Sequence, residues 1–387
     1  MTNSALVIAF VLCASSASAQ TVADALTFLM TNQSVSTGDL ALDQSAAQAT
    51  SAAISRALLA NLATLPVATS SSAFVYRLNP ELGTVERATE TFGPFFVERA
   101  MTAGKGQASF GLTYQQLQFT SLDGQNLRDG SLVTTANQFV DEATPFDEDR
   151  LSLDIGARVA TFYGNIGVTD RLDVGFAVPM VDLTIDGTRT NTYRGRTFTQ
   201  ASASARAVGL ADIVARTKYM LYEDGGQGLA AAVDVRLPTG REEDLLGTGS
   251  LSVKLGAIGS LEEGRTAAHV NAGVTFGGLA REIDYGAALG FAASARATIS
   301  AEVIGRWIDG AGQLVTLTAP HPTLQDVDTI RLSTDESAVN AVTLVPGFKW
   351  NVSSTWVLAA NVAVPLTKGG LTTRVTPFVG LDYALGR

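Results

Sequence analysis

From residue 107 onward, hydrophobic residues recur at every second position. Between 228 and 238, Leu229, Ala231, Val233, Val235 and Leu237 share one face, while Ala230, Ala232, Asp234 and Arg236 share the other. A period of two marks a strand whose faces meet different surroundings. Residues 282–293 repeat the pattern with Ile283, Tyr285, Ala287, Leu289 and Phe291, as do 354–366 with Trp356, Leu358, Val362 and Leu366, and the last segment with Val375, Val379, Leu381 and Leu385. One face is greasy throughout and the other is small or polar. Divided at turn signals, the chain predicts about twelve strands: 107–119, 150–168, 172–186, 209–222, 228–238, 250–262, 266–279, 282–293, 297–312, 337–350, 354–366 and 371–384.

These runs last roughly ten to nineteen residues, against about five or six for strands of soluble sheets; a tilted strand that crosses a bilayer needs about ten. Long connections (120–149, 187–208, 239–249, 313–336) alternate with short ones such as 169–171 and 351–353. That alternation is what an outer-membrane barrel shows, its long loops outside and its short turns in the periplasm. Phe162, Tyr163, Tyr219, Tyr222, Trp307, Trp350, Trp356 and Tyr383 fall near strand ends, as interfacial girdle residues would. Within 172–186 the greasy set changes phase, from Leu172, Val174, Phe176 and Val178 to Val181, Leu183 and Ile185, with Pro179 between them. A bulge is expected there.

Upstream the period changes. Residues 22–30 and 39–65 are rich in Ala, Leu and Ser, and Ile54, Leu58, Leu59 and Leu62 fall on one helical face before Pro66. Segment 67–104, punctuated by Pro80, Gly83, Gly93 and Pro94, reads as an irregular connector. The first residues read differently again: an apolar run over Ala5 to Ala14, then Ala17-Ser18-Ala19, which fits a cleaved secretory signal and starts the mature chain near Gln20. The expected organisation is therefore a signal peptide (1–19), a helical segment that plugs the barrel or caps it from the periplasm (20–66), a connector (67–104) and an outer-membrane barrel (105–387).

Composition narrows the functions. The single cysteine, Cys13, would leave with the signal peptide, so no disulfide or thiolate site is expected. A net charge of −10 disfavours nucleic acid as a partner. With 46% hydrophobic and 17% charged residues the chain is apolar, yet it has no long apolar run after the signal, which fits apolar residues dealt to alternate positions.

Candidate chemistry lies on the face opposite the greasy one, where charges come in pairs: Asp154 with Arg158, Asp212 with Arg216, Asp234 with Arg236, and Glu302 with Arg306. Spacings of two or four put both members of a pair on one face of a strand, and in a membrane barrel that face must be the lumen, because a charge on the lipid side costs about 2–4 kcal/mol at the midplane. The eight residues are candidates for a charged constriction that sets selectivity, or for pairs that merely hold the barrel together. Catalysis is not expected: His269 and His321 are the only imidazoles, and neither comes with an assignable nucleophile and orienting group. No cofactor is expected, and two distant histidines do not make a metal set.

Gly209-Leu210-Ala211-Asp212-Ile213, Lys218-Tyr219, Leu237-Pro238-Thr239-Gly240, Leu245-Leu246-Gly247-Thr248-Gly249 and the turn Gly167-Val168-Thr169-Asp170-Arg171-Leu172-Asp173 together resemble the outer-membrane β-barrel family of phenol-degradation (meta-pathway) transporters. The resemblance implies a barrel associated with uptake of hydrophobic or aromatic compounds. The expected protein is all-β, a single transmembrane antiparallel barrel in the cell outer membrane of a Gram-negative bacterium, passing small solutes passively. Its partners would be outer-membrane lipid, the barrel-assembly machinery and a small hydrophobic solute. A structural or adhesive barrel with a closed lumen remains the alternative, and an outer-membrane hydrolase a third.

Overall fold

The computed structural model describes residues 21–31, 35, 39–62, 76–79, 84–87, 89–353 and 355–385. The signal peptide expected over residues 1–19, Cys13 included, falls outside these residues. Twelve antiparallel strands close into a ring: β1 (Ala108–Leu122), β2 (Asp147–Gly167), β3 (Leu172–Tyr193), β4 (Ile213–Asp224), β5 (Gln227–Leu237), β6 (Ser252–Glu263), β7 (Thr266–Gly277), β8 (Glu282–Ser294), β9 (Ala297–Ile308), β10 (Val339–Ser353), β11 (Trp356–Pro365) and β12 (Thr376–Leu385). The seam is antiparallel too, with Leu385 opposite Ala108 and Phe378 opposite Gln115. Leu112, Phe176, Leu221, Val233, Leu255, Val270, Leu289, Ile299, Phe348, Leu358 and Val379 all face outward and stay exposed. They form an apolar belt around the ring, as lipid contact requires.

The ring does not end level. At the end with the long connections, β2 and β3 continue past the belt, and further strands within those connections join them. The wall there runs Arg196–Leu210, β3, β2, Leu132–Phe139, Val327–Thr334 and Leu314–Pro320. This raised wall of six strands is open between its two outermost members. On the rest of the circumference β4 to β9 stop near the edge of the belt, where β7 and β8 meet in a tight turn whose Gly277 and Gly278 have positive φ.

The bulge expected within β3 at Pro179 is not on β3. β3 itself pairs with β2 from Asp173 to Tyr193 in unbroken register; on its other side the register moves by one residue between Ala177, opposite Val214, and Met180, opposite Leu210, so the extra residue beside Pro179 lies on the neighbouring strand and not on β3. What changes at Pro179 is the surroundings. Up to Met180 the even positions face lipid and are apolar (Val174, Phe176, Met180); from Asp182 the same face meets water and carries Asp182, Thr184, Asp186 and Thr188, while Val181, Leu183 and Ile185 point inward and are buried. The strand keeps its register while the medium changes.

Those inward residues need a filling, and two helices supply it. α1 (Val22–Thr31) packs on β3 and on the Arg196–Leu210 strand, and α2 (Leu40–Leu62) on the Val327–Thr334 strand. Leu26, Leu29, Met30, Ile54 and Leu58 join Leu151, Leu153, Leu183, Ile185 and Leu332 in one buried cluster. The facing strand offers only Ala201, Ala203, Ala205 and Ala207, so α1 can approach closely. Gly187 is needed for the same reason, since a Cβ there would sit 2.2 Å from Leu29 Cδ1. The helices thus lie inside the wall at the long-connection end, and a cap on the opposite, short-turn mouth is not what these helices form.

Candidate lumenal site

The lower half of the ring holds a second insertion, an irregular strap over residues 89–104 just before β1. Alternation puts polar side chains on the lumen face of the strands, and these bind the strap through its main chain. Glu302, fully buried on β9, accepts from three consecutive backbone N–H groups, Phe95 (2.5 Å), Phe96 (2.8 Å) and Val97 (2.8 Å). Ser260 accepts from Ala100 N–H at 2.8 Å and also bonds His269 Nδ1. Lys349 donates to the carbonyl of Pro94 at 3.0 Å, and Lys218 to those of Arg99 and Met101 at 3.2 and 2.8 Å. Asp173 accepts from Ala103 N–H and faces Lys218. An irregular segment with no sheet partner has its main chain satisfied by charged side chains, which form the stronger class of hydrogen bond.

Above the strap and below α2 lies a cavity of about 330 Å³. Its floor is Phe96, Val97 and Glu98, and Ala60 of α2 reaches its upper side. The wall from β4 to β9 is charged: Arg216 bonds both oxygens of Asp234 on the adjacent strand and also meets Glu98, Lys254 lies 3.0 Å from Asp284, and Arg306 bonds Glu282 with both Nε and Nη2. Arg236 lines the same wall. The opposite wall, from β10 to β12 and β1, is mostly apolar, with Leu117, Phe119, Ala363, Pro365 and Phe378. The chamber therefore offers a ladder of neutralised ion pairs on one side and a greasy surface on the other.

The eight candidates from the sequence separate into four groups. Arg216, Asp234, Arg236 and Arg306 line the cavity, and their ion pairs run across neighbouring strands, with Asp234 directly opposite Arg216, in place of the expected spacings within one strand. Glu302 also faces the lumen but holds the strap, while Arg306 takes Glu282. Asp212 does not pair with Arg216: it is buried where the Arg196–Leu210 strand gives way to β4, and accepts from Gly240 N–H, Thr248 N–H and the Thr248 hydroxyl, fixing the 240–248 loop.

Asp154 and Arg158 contradict the expectation. They lie on the outer face of β2, on the part that has risen past the belt, so water removes the penalty that was to drive them inward. Asp154 meets Arg128, and Arg158 lies 3.8 Å from Asp182, which Arg206 also binds. The Arg206 hydrogen bonds hold the Asp182 carboxyl below the usual carboxylate range. Tyr163, expected in the aromatic girdle, is instead buried inside and donates to Asp382.

Lys254, Glu282 and Asp284 were missed in the sequence although they alternate with greasy residues on their strands, a signal the paired-charge search passed over. The strap's partners Lys218, Lys349 and Asp173 also fall on the polar face of their strands, but nothing in the sequence shows that they meet main-chain atoms of a segment seventy or more residues away.

A closed twelve-stranded ring with an apolar belt, a polar lumen and one end of long connections defines the chain as an outer-membrane β-barrel. The family model described as "Putative MetA-pathway of phenol degradation" matches residues 137–370, and the chain belongs to that family. No curated protein matches it. Among solved structures, it is similar to an outer membrane channel from Pseudomonas putida F1 (12% identity, 74% of this chain and 98% of that one, TM-score 0.47). It is also similar to the CymD monoaromatic hydrocarbon channel (10%, 73% and 90%, TM-score 0.34) and to the KdgM porin in complex with oligogalacturonate (7%, 62% and 98%, TM-score 0.35).

Proposed function

We propose that the barrel is a passive channel for small solutes that have an apolar body and a polar substituent, and that it carries out no catalysis. The cavity within the ring carries this reading. Its volume is at the low end of the about 300–1,000 Å³ of small-molecule sites, and it has one wall for each part of such a solute. Membership of a family described by phenol degradation supports an aromatic body. The two imidazoles suit structural duties: His269 bonds Ser260 beneath the strap, and His321 accepts from Thr323 and Leu324 N–H within its own loop. Export to the outer membrane through the periplasm, behind the signal at 1–19, belongs to the same reading.

A closed structural barrel is the second reading, favoured by the fact that helices fill one half of the lumen and the strap crosses the other. Single-channel conductance in planar bilayers separates the two. A channel predicts measurable current from the full chain, a rise of several-fold when residues 21–65 are deleted, and partial block by a small hydroxylated aromatic solute. Silence from both proteins, each shown to be folded by its heat-modifiable gel shift, would leave the closed barrel standing.

A further inference from the structure

One cross-strand row leads out of the chamber beneath its apolar wall. It runs from Gln115 on β1 through Phe378 on β12, Asn361 on β11, Gly347 on β10 and Ser300 on β9 to Gly290 on β8, each directly opposite the next. Gln115 and Phe378 line the cavity, and Asn361 is the position after them. Asn361 is 3% exposed, and neither its Oδ1 nor its Nδ2 has a hydrogen-bond partner among the described residues. A buried amide in that condition is uncommon, because each unmet group costs its desolvation. Gly347 brings a second polar group to the same place. A Cβ there would collide with Asn361 Oδ1 and lie 3.0 Å from Ser300 Oγ, so both side chains lean over the bare glycine. On either side of Ser300 along β9, Thr298 and Glu302 hold the strap at Phe92 and Phe95. Beyond Ser300, a Cβ on Gly290 would meet nothing closer than 3.9 Å, which leaves room beside the hydroxyl.

We propose that Asn361 and Ser300 form a subsite at the foot of the chamber that recognises an uncharged hydroxyl, while the aromatic body of the solute rests among Phe95, Phe96 and Phe378. The proposal rests on the channel reading above and names the polar group that the solute carries. A hydroxyl both donates and accepts, so it matches Asn361 Oδ1 as acceptor and Nδ2 or the Ser300 hydroxyl as donor. A carboxylate would set Oδ1 against another acceptor, and an ammonium would set Nδ2 against other donors. The charged groups nearest in register are already engaged: Glu302 by three strap N–H groups, Lys349 by the Pro94 carbonyl and Asp382 by Tyr163. Across the chamber the ion pairs satisfy one another, which leaves the unpartnered amide as the stronger attraction for a neutral group. The way in passes three rings that meet edge to edge, Phe96 with Phe378 at 5.1 Å and Phe95 with Phe96 and Phe378 at 4.8 and 5.8 Å. Phe96 is only half-buried, so its place in the cluster can be taken by a solute ring of the same shape.

The test follows the Asn361 side-chain amide by NMR of the full-length barrel, made with isotope-labelled asparagine and titrated in micelles with phenol or anisole; affinities are read by calorimetry. Phenol should move the Asn361 signal, which is identified by its loss in Asn361→Leu. It should also bind about tenfold more tightly than anisole, whose methyl ether accepts but cannot donate. Asn361→Leu should weaken phenol about tenfold, to the level of anisole, and keep its stability in urea, because an apolar replacement for an unpartnered amide is neutral or stabilising. Ser300→Ala should weaken phenol about threefold. A signal that phenol leaves unmoved, or equal affinity for phenol and anisole, would overturn the proposal and reduce the amide to the holder of a structural water. Should Asn361→Leu not give the folded gel shift, Asn361→Ser identifies the signal and Ser300→Ala carries the affinity comparison. Single-channel current is a separate readout: a silent barrel whose Asn361 signal moves keeps this site and loses the channel, and current without that movement does the reverse.

Discussion

The two halves of β3 are built inside out relative to one another. Below Met180 the strand shows Val174 and Phe176 to lipid and Asp173 to the lumen; above it, Asp182 and Thr184 face water and Leu183 and Ile185 face α1. A sheet has no preferred inside. Each face takes the character of what it touches, and a lipid-facing wall can keep a wet, charged interior while a water-facing wall must bury its apolar side against something. The difference explains why the lower lumen contains a cavity with ion pairs along one wall, while the described helices of the upper lumen pack on apolar side chains.

The sharpest way to break this comparison is to put a charge into the upper interior. Leu183→Asp buries an unpaired carboxylate against the helices and should cost several kcal/mol, on the scale of about 3–5 kcal/mol for an uncompensated buried charge. It should appear as protease cleavage within residues 22–62 while the barrel keeps its gel shift; protection equal to the parent would mean the helices do not rest on this face. A smaller effect sharpens the boundary on the outer face. Phe176→Arg should cost about 2–4 kcal/mol in urea unfolding from vesicles, whereas Thr184→Arg, eight residues along the same face, should cost about 0–1 kcal/mol. Equal costs would place the membrane edge elsewhere.

The smallest effect concerns pH. The Asp182 carboxyl is held below its ordinary value of about 3.9 by Arg206, so its contribution is present above that value and fades as pH falls through the lower folded value. In the parent a slight loss of stability below about pH 4 is expected, and Asp182→Asn should remove that slope while changing little at pH 7, because the pair is largely exposed. An unchanged acid slope would remove Asp182 from the account.

Much of the ring was legible because a membrane barrel leaves its rule at every second residue. Runs such as 228–238 and 354–366 correspond to β5 and β11 within about two residues. The same rule misled at Pro179, where a change of phase was read as a change of backbone. Period alone cannot separate the two, since a bulge and a change of medium both move the greasy residues to the other face. Asp154 and Arg158 were misplaced for the same reason: their strand was taken to end with the membrane, and it does not. The charged wall was half legible, because cationic and acidic positions show in the sequence while their cross-strand partners depend on register. The strap was legible only as irregularity, since its order comes from Glu302, Lys218 and Lys349, none of which lies near it in the chain.

The strap also constrains how the molecule can be assembled. Phe95 to Val97 are enclosed by a wall whose seam is sealed by the pairing of β12 with β1, the last strand with the first. A ring that had already closed would have to admit a folded-back segment through an interior crowded by α2, with the Glu302 contacts spanning more than two hundred residues. Order of synthesis offers the simpler route: the strap precedes every strand of the ring, so the sheet can grow around it and close last. The step that limits the rate of maturation would then be the meeting of Leu385 with Ala108, a contact of very high sequence separation and correspondingly slow loop closure.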